Sequence, residues 1–551
     1  MIARERKGNR MKEFRTEMER LTKELVEISS VNGSVGERKV AEKLESYFRE
    51  IPYFKEHPEQ VFLQELKEDA LHRKNVFAYI KGGKSNGRTL LFHGHIDTVG
   101  VDDFGALEPY AFSPDKLLEE MKKLDLPETV RADLETGDWM VGRGACDMKS
   151  GVAVFAVLMN YFSQHADTLK GNLLFSANPV EENLHTGIVH GLEVLEQLRE
   201  EQGFSYELAI NNDYICPLYE GDTKRYIYAG AVGKLLPCFY IQGKETHVGQ
   251  CFEGFDASYL AAELVRKISL NTEFCDCYEG ESTLPPSVLK MKDLKTAYNV
   301  QTAYDALVYF NLFVHNRSVE EIVKALKKAA AEAFSDTEKH RKEQNRRYCA
   351  CSGDLYQDVD YEPKIMTYEE LLALAKTDGE LQHILETEVA KGTDQREIGI
   401  ALIRHLLNKI GFKQPVVVLY FAPPYCPHNT LKKEDEKEWA LKERLVKLAE
   451  RVGEKTGETY EVKQFFPSLS DSSYLKIDDD EASIECLMKN FPAYDTLYPI
   501  PLKKIKKLNI PAVNFGVYGK DAHKWTERLY MPYSFEVLPE LIIEAVDEFF
   551  K

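Results

Sequence analysis

The chain has 551 residues, 44% hydrophobic and 29% charged, with a formal net charge of -19 at pH 7. That length exceeds a single hydrophobic core, so two or more domains are expected, and the composition excludes a disordered or membrane-embedded protein. The negative charge opposes a nucleic-acid partner, whose phosphates need cations, and no apolar run reaches bilayer length, so a cytoplasmic protein without membrane contact is expected.

Phe14, Met18, Leu21, Leu25 and Ile28 recur at helical spacing, and Val40, Leu44 and Phe48 mark a second helix. Strand-like and helix-like segments then alternate: RTLLFHG, VAVFAVLMNYF, GNLLFSAN, IVHGLEVLEQL and YELAINN. This alternation predicts an α/β domain with a mostly parallel sheet flanked by helices, its first part spanning residues 1–228. After Gly230 the texture becomes β-α-β-β-α, carried by KLLPCFYIQGK, SYLAAELVRKI, SVLKMKDL, ALVYFNLFVH and SVEEIVKALKKAAAEAF. Ser318 and Glu321 form a capping-box start for the last of these helices. Residues 229–345 therefore read as an inserted two-layer α+β unit. Ten cysteines lack the framework of a secreted domain, which fits reduced thiols; the pairs Cys275 with Cys277 and Cys349 with Cys351 read as free thiols or as a thiolate metal site. Residues 346–429, with YEELLALA, REIGIALIRHLLNKIG and PVVVLYF, are an additional segment assigned to neither domain. Residues 430–551 resume the α/β texture and complete the first domain.

Most of the candidate chemical groups follow predicted strands: His95 and Asp97 after LLFHG, Glu181 and Glu182 after LLFSAN, Asp213 after LAINN, and His523 after IPAVNFG. Open α/β sheets bind ligands outside the carboxyl ends of their strands, so these segments converge on one crevice. Imidazoles and carboxylates together suit two divalent cations, and Asp147 of GRGACDMKSG, near a helix start, would bridge them. Asp97 can accept the second ring N–H of His95, and adjacent Glu181 and Glu182 must point apart, so one can ligate while the other faces a water.

GHIDTV, GRGACDMKSG, the Glu-Glu of PVEEN, GKETHVG, SDSSY and DAHKWTE occur in the order found in the dinuclear-zinc amidohydrolases and peptidases. The chain resembles that family, which includes aminoacylase, glutamate carboxypeptidase, acetylornithine deacetylase and succinyl-diaminopimelate desuccinylase. NPVEEN, INNDY and the length are most similar to its longer branch, the RocB-like arginine-utilisation proteins. The resemblance implies a zinc-peptidase-like α/β catalytic domain interrupted by an α+β lid. It makes His95 and Asp213 ligands of one metal, Glu182 and His523 ligands of the other, Asp147 the bridge, Asp97 the residue orienting His95, and Glu181 the general base. It makes His247 a lid histidine contacting the substrate carbonyl, and Asn299 with Arg317 the holders of a substrate carboxylate. The sequence departs from the family at Val180, where an acidic residue is usual, and at Asn212-Asp213, where Gly-Glu-Pro is common. His185 reads as a competing ligand or as a surface histidine at a helix start, the second being favoured; His93 reads as a packed neighbour, and Ser470-Asp471 as a loop lining the pocket or as a turn.

The implied activity is metal-dependent hydrolysis of an amide or peptide bond in a small N-acyl or peptide-linked amino acid, in arginine catabolism, by a bridging-water and glutamate-base mechanism. The ions would be two, zinc foremost, with cobalt or manganese as alternatives. A dipeptidase in place of a deacylase, and a non-catalytic metal-containing binding or regulatory protein, are the competing readings. The resemblance implies either a homodimer, whose lid histidine reaches the neighbour's site, or a chain in which the additional segment 346–429 enlarges the lid so that the histidine is supplied within one chain, the first being favoured.

Overall fold

The runs TLLF and NLLF become adjacent strands, Arg88–His95 and Asn172–Asn178, paired in parallel with Leu90 opposite Leu173 and Phe92 opposite Phe175. Continuous apolar runs suit a strand covered on both faces, and both strands are buried along almost their whole length. The computed structural model describes residues 2–376 and 379–551, in which the chain divides into two units.

The first unit takes in the chain up to Val232, His428–Ile477 and Lys503–Lys551. Its eight-stranded sheet runs in the order Val61–Glu65, Lys74–Ile80, Asn172–Asn178, Arg88–His95, Ser205–Asn211, Ala512–Asn514, Arg225–Tyr228 and Tyr460–Lys463. The central pairs, from Asn172–Asn178 through to Ala512–Asn514, are parallel, and the pairs at the Val61 edge are antiparallel. Helix Ser150–Ser163 is buried on nearly every side, and Phe155 stacks on Phe92 with ring centroids 4.7 Å apart. Met18, Leu21 and Leu25 of the first helix and Leu541, Ile542 and Val546 of helix Leu538–Phe549 join the same core.

The second unit comprises Gly233–Pro427 and Asp478–Leu502. Its sheet runs Ser287–Asp293, Asp305–Val314, Pro237–Gln242, Val416–Phe421 and Ile365–Thr367, with Gly233–Leu235 also paired to Asp305–Val314. Helices Ala257–Ile268 and Val319–Ser352 belong to it, the latter opened by the Ser318/Glu321 capping box and ended at Gly353, where φ is 80°. Residues 346–427 cluster here: Val416–Phe421 pairs with Pro237–Gln242, and Leu371, Ile403 and Leu406 share a core with Tyr240 and Val418. Residues 478–502, which the sequence reading runs into the α/β domain, also cluster with this unit.

Candidate metal centre

Strand Arg88–His95 alternates its side chains, so Leu90 and Phe92 enter the core while His93 and His95 share the opposite face. His95, at the strand's carboxyl end, places Nε2 3.1 Å from Asp147 Oδ1. Its Nδ1 lies 3.1 Å from the carbonyl oxygen of Asp97 and 3.6 Å from that residue's carboxylate, so the backbone rather than the carboxylate makes the short contact. Donation by Nδ1 to that carbonyl leaves Nε2 as the nitrogen with a lone pair for a metal.

The Asp97 carboxylate has other partners. Its Oδ1 accepts the Glu181 N–H at 3.0 Å, and its Oδ2 accepts the Glu182 N–H at 3.0 Å and the Asn32 amide at 2.9 Å. Glu37 accepts the N–H of Val180 at 3.1 Å, so three successive amides of this loop end on buried carboxylates. Burial, reinforced by the charge of Asp97 and offset by Arg73, pushes Glu37 up to about 7.

Asp147 lies in an irregular turn, Ala145–Lys149, ahead of helix Ser150–Ser163 rather than within the helix. Its peptide to Met148 is cis. Glu527 fixes this turn: Oε1 accepts from the amides of Gly144, Cys146 and Asp147 at 2.9, 3.0 and 3.2 Å, and Oε2 meets Arg143 at 2.7 Å. Close approach requires two glycines. A Cβ on Gly94 would lie 2.4 Å from Met148 Cε, and one on Gly151 would lie 2.1 Å from the Asn212 carbonyl oxygen.

The second Asp147 oxygen faces His523 Nε2 at 3.0 Å, and the same nitrogen lies 2.9 Å from Glu182 Oε1. Ligand atoms of His95, Asp147 and Glu182 all fall within 4.8 Å of one another. Burial disfavours charge on Asp147, yet the two imidazoles hold it well below the usual carboxylate range. Asp147 and Glu182 push His523 up to about 11. Asp213 is not among the three closest groups; its Oδ1 accepts the Tyr214 N–H at 2.8 Å, and burial with the nearby Asp147 charge pushes it up to about 8. A pocket that draws several carboxylates and two imidazole nitrogens together, and raises both Asp213 and His523, has the donor set and the charge that divalent cations satisfy.

Glu181 is buried, with Oε2 3.9 Å from His95 Nε2, and burial raises it well above the usual carboxylate range against the pull of His95. His185 is not the surface residue the sequence suggests: it is 1% exposed, at the start of helix Thr186–Gln202, with Nδ1 3.0 Å from Asp471. His93 is buried and meets the Ser472 hydroxyl at 3.0 Å.

The remaining candidates lie in the second unit. His247 is exposed, accepts the Gly249 N–H at Nδ1 and bridges to Gln301, while Asn299 bonds to Gln301 at 2.9 Å, so their two loops are joined. Arg317 donates its backbone N–H to Asp276 at 2.8 Å, an anchor that also takes the amides of His315 and Asn316. Cys275 and Cys277 flank this aspartate as free thiols. Asn32, Glu37 and Asp276 escape the sequence reading; Arg143 and Glu527 stand inside the motifs GRGACDMKSG and DAHKWTE, where their presence was the signal.

The profile of peptidase family M20/M25/M40 matches residues 91–489. Protein RocB of Bacillus subtilis is 40% identical over 528 residues, covering 95% of this chain and 93% of that protein. YqjN of the same organism is 32% identical, over 96% of this chain and 95% of its own length. Among solved structures, aminopeptidase PepT from Bacillus cereus has the same fold at 15% identity, with a TM-score of 0.53 over 98% of this chain and 99% of that one. With family profile, relatives and fold in agreement, this chain is a hydrolytic enzyme that belongs to the metallopeptidase family M20/M25/M40.

Proposed function

We propose that the chain hydrolyses the amide bond of a small N-acylated or peptide-linked amino acid, with Glu181 as general base beside two divalent ions. The observation that carries this reading is Asp147, whose two oxygens face two different imidazoles at 3.1 and 3.0 Å, with Glu181 3.9 Å from one of them. His95 and Asp213 would hold one ion, Glu182 and His523 the other, and Asp147 would bridge them; zinc suits this set, as do cobalt and manganese. Such ions, when bound, lower the pKa of water and polarise a carbonyl. Glu181 takes the proton of the attacking water on a carboxylate oxygen and passes it to the leaving nitrogen, so that a C–O bond forms, the C–N bond breaks, and a carboxylate and an amine are released. His247 donates a hydrogen bond to the carbonyl oxygen as it gains charge. Asn299 and Arg317 hold the substrate carboxylate. The resemblance to arginine-utilisation proteins supports an arginine-derived substrate and a cytoplasmic setting.

Release of free amine tests this reading. Metal-loaded wild type and Glu181→Gln are incubated with dipeptides and N-acyl amino acids of arginine, citrulline and ornithine. Wild type is expected to release amine and Glu181→Gln to be slower by about 100-fold or more, with its ions retained. Loss of ions together with activity refutes the separation of base from ligand. Comparing each dipeptide with its N-acetylated form separates dipeptidase from deacylase.

A further inference from the structure

We propose that His185 and Asp471 form a positioning pair for Glu181, an inference that rests on the base assignment above. The three side chains are buried together, with exposures of 1, 2 and 8% for His185, Asp471 and Glu181. His185 Nδ1 stands 3.0 Å from Asp471 Oδ1 and 3.9 Å from Glu181 Oε1, so one imidazole edge faces two carboxylates. The other Glu181 oxygen points to the metal cluster, 3.9 Å from His95 Nε2. Glu181 is thus set between two imidazoles, one belonging to the cluster and one held from behind.

The backbone builds this arrangement deliberately. The His185 N–H returns to the Val180 carbonyl at 2.8 Å, closing a loop that tucks the ring under Glu181. Val180 and His185 both take positive φ, at 70° and 55°, a region that non-glycine residues seldom enter and that clusters at functional sites. Asp471 arrives from 286 residues away in sequence. Its second oxygen lies 3.5 Å from the Asn178 amide, and the His185 ring packs against Tyr474 at 5.0 Å between centroids.

The chemistry needs such a holder. A buried carboxylate that must first lose and then regain a proton has to keep one rotamer through both states, although Glu182 and Asp471 repel it when charged. The Nδ1–H of His185 is donated to Asp471 at 3.0 Å, and the ring held in this way gives the Glu181 oxygen 3.9 Å away, the one that faces away from the reacting water, an electrostatic partner rather than a second hydrogen bond. This repeats the logic of a base oriented by a third group, with the order of residue types changed. The two histidines have separate tasks: His95 belongs to the metal cluster and His185 acts only through Glu181.

The pair is tested by histidine-selective nuclear magnetic resonance and by kinetics on the compound cleaved fastest in the release assay. An exchange-protected imidazole proton is expected in wild type, absent in His185→Asn, and shifted in both Asp471→Asn and Glu181→Gln. A signal unmoved by Glu181→Gln overturns the proposal without any need for turnover. In kinetics, His185→Ala is expected to lower kcat about 100-fold with KM and metal content nearly unchanged. His185→Asn, which keeps a donor at the Nδ1 position and tolerates positive φ, should recover a large part of that loss. The double variant with Glu181→Gln should be no slower than Glu181→Gln alone. Unimpaired kcat in His185→Ala beside an inactive Glu181→Gln overturns the pair and leaves the base assignment standing. A fully active Glu181→Gln overturns the base assignment and the pair with it. Additive losses, or loss of metal in His185→Asn, would make His185 something other than a holder of Glu181 and overturn the proposal.

Discussion

Glu527 shows how much one side chain can organise: its carboxylate takes three amides of the Asp147 turn and the Arg143 guanidinium, with both residues about fully buried. Removing it leaves Arg143 buried without its nearest counter-charge and frees the turn that presents Asp147. Glu527→Ala is therefore expected to lose about 3 kcal/mol of stability in urea titration. The same variant should bind metal more weakly by isothermal calorimetry, whereas unchanged metal affinity would show that the turn holds its shape alone. At this scale the sequence is readable where a residue works within its own short segment. His95, Asp147, Glu182 and His523 each stand in a compact motif because a local turn presents them. Asn32 and Glu37 do not, since their partners lie 65 and 143 residues away and no spacing encodes them; Asp471 stands in the motif SDSSY, but its partner His185, 286 residues away, is not encoded there. Burial misled the reading of His185 for the same reason: the wall that covers it comes partly from Asp471 and Tyr474.

Between elements, contact distance sets what the chain tolerates. Helix Ser150–Ser163 approaches the end of strand Ser205–Asn211 so closely that Gly151 has no room for a methyl group against Asn212. Gly151→Ala must push the helix from the loop that carries Asp213. A loss of about 1–3 kcal/mol on thermal unfolding is expected, with a parallel fall in metal affinity. An unchanged melting temperature would mean that the helix slides without cost. The elements themselves were readable wherever the apolar period was long: RTLLFHG and GNLLFSAN became central strands, and SVEEIVKALKKAAAEAF became the start of helix Val319–Ser352. Residues 346–427 were harder because strand Ile365–Thr367 has only three residues and gains its identity by pairing with Val416–Phe421. Short strands such as Arg225–Tyr228 and Tyr460–Lys463 carry too few residues to show a period.

As a molecule the protein has separate cores in its two units, one around Phe92 and Phe155 and another around Tyr240 and Val418. Every ligand of the proposed metal centre belongs to the first unit. Two calorimetric transitions are expected, and a chelator should lower the one belonging to the first unit alone, by the equivalent of about 3–4 kcal/mol if the ions had been present at 100–1,000 times their Kd. A common shift of both transitions would show that the cores melt together. The discontinuity of the first unit also governs its birth on the ribosome. Strand Ser205–Asn211 pairs early with Arg88–His95, but its neighbour on the other side, Ala512–Asn514, comes about 300 residues later, and His95, Asp147 and Glu182 wait for His523. At about 5–20 residues per second, making the intervening residues takes tens of seconds. Throughout that interval the nascent sheet carries an open edge that can capture another nascent chain, and the proposed metal centre is assembled only when translation has passed residue 523.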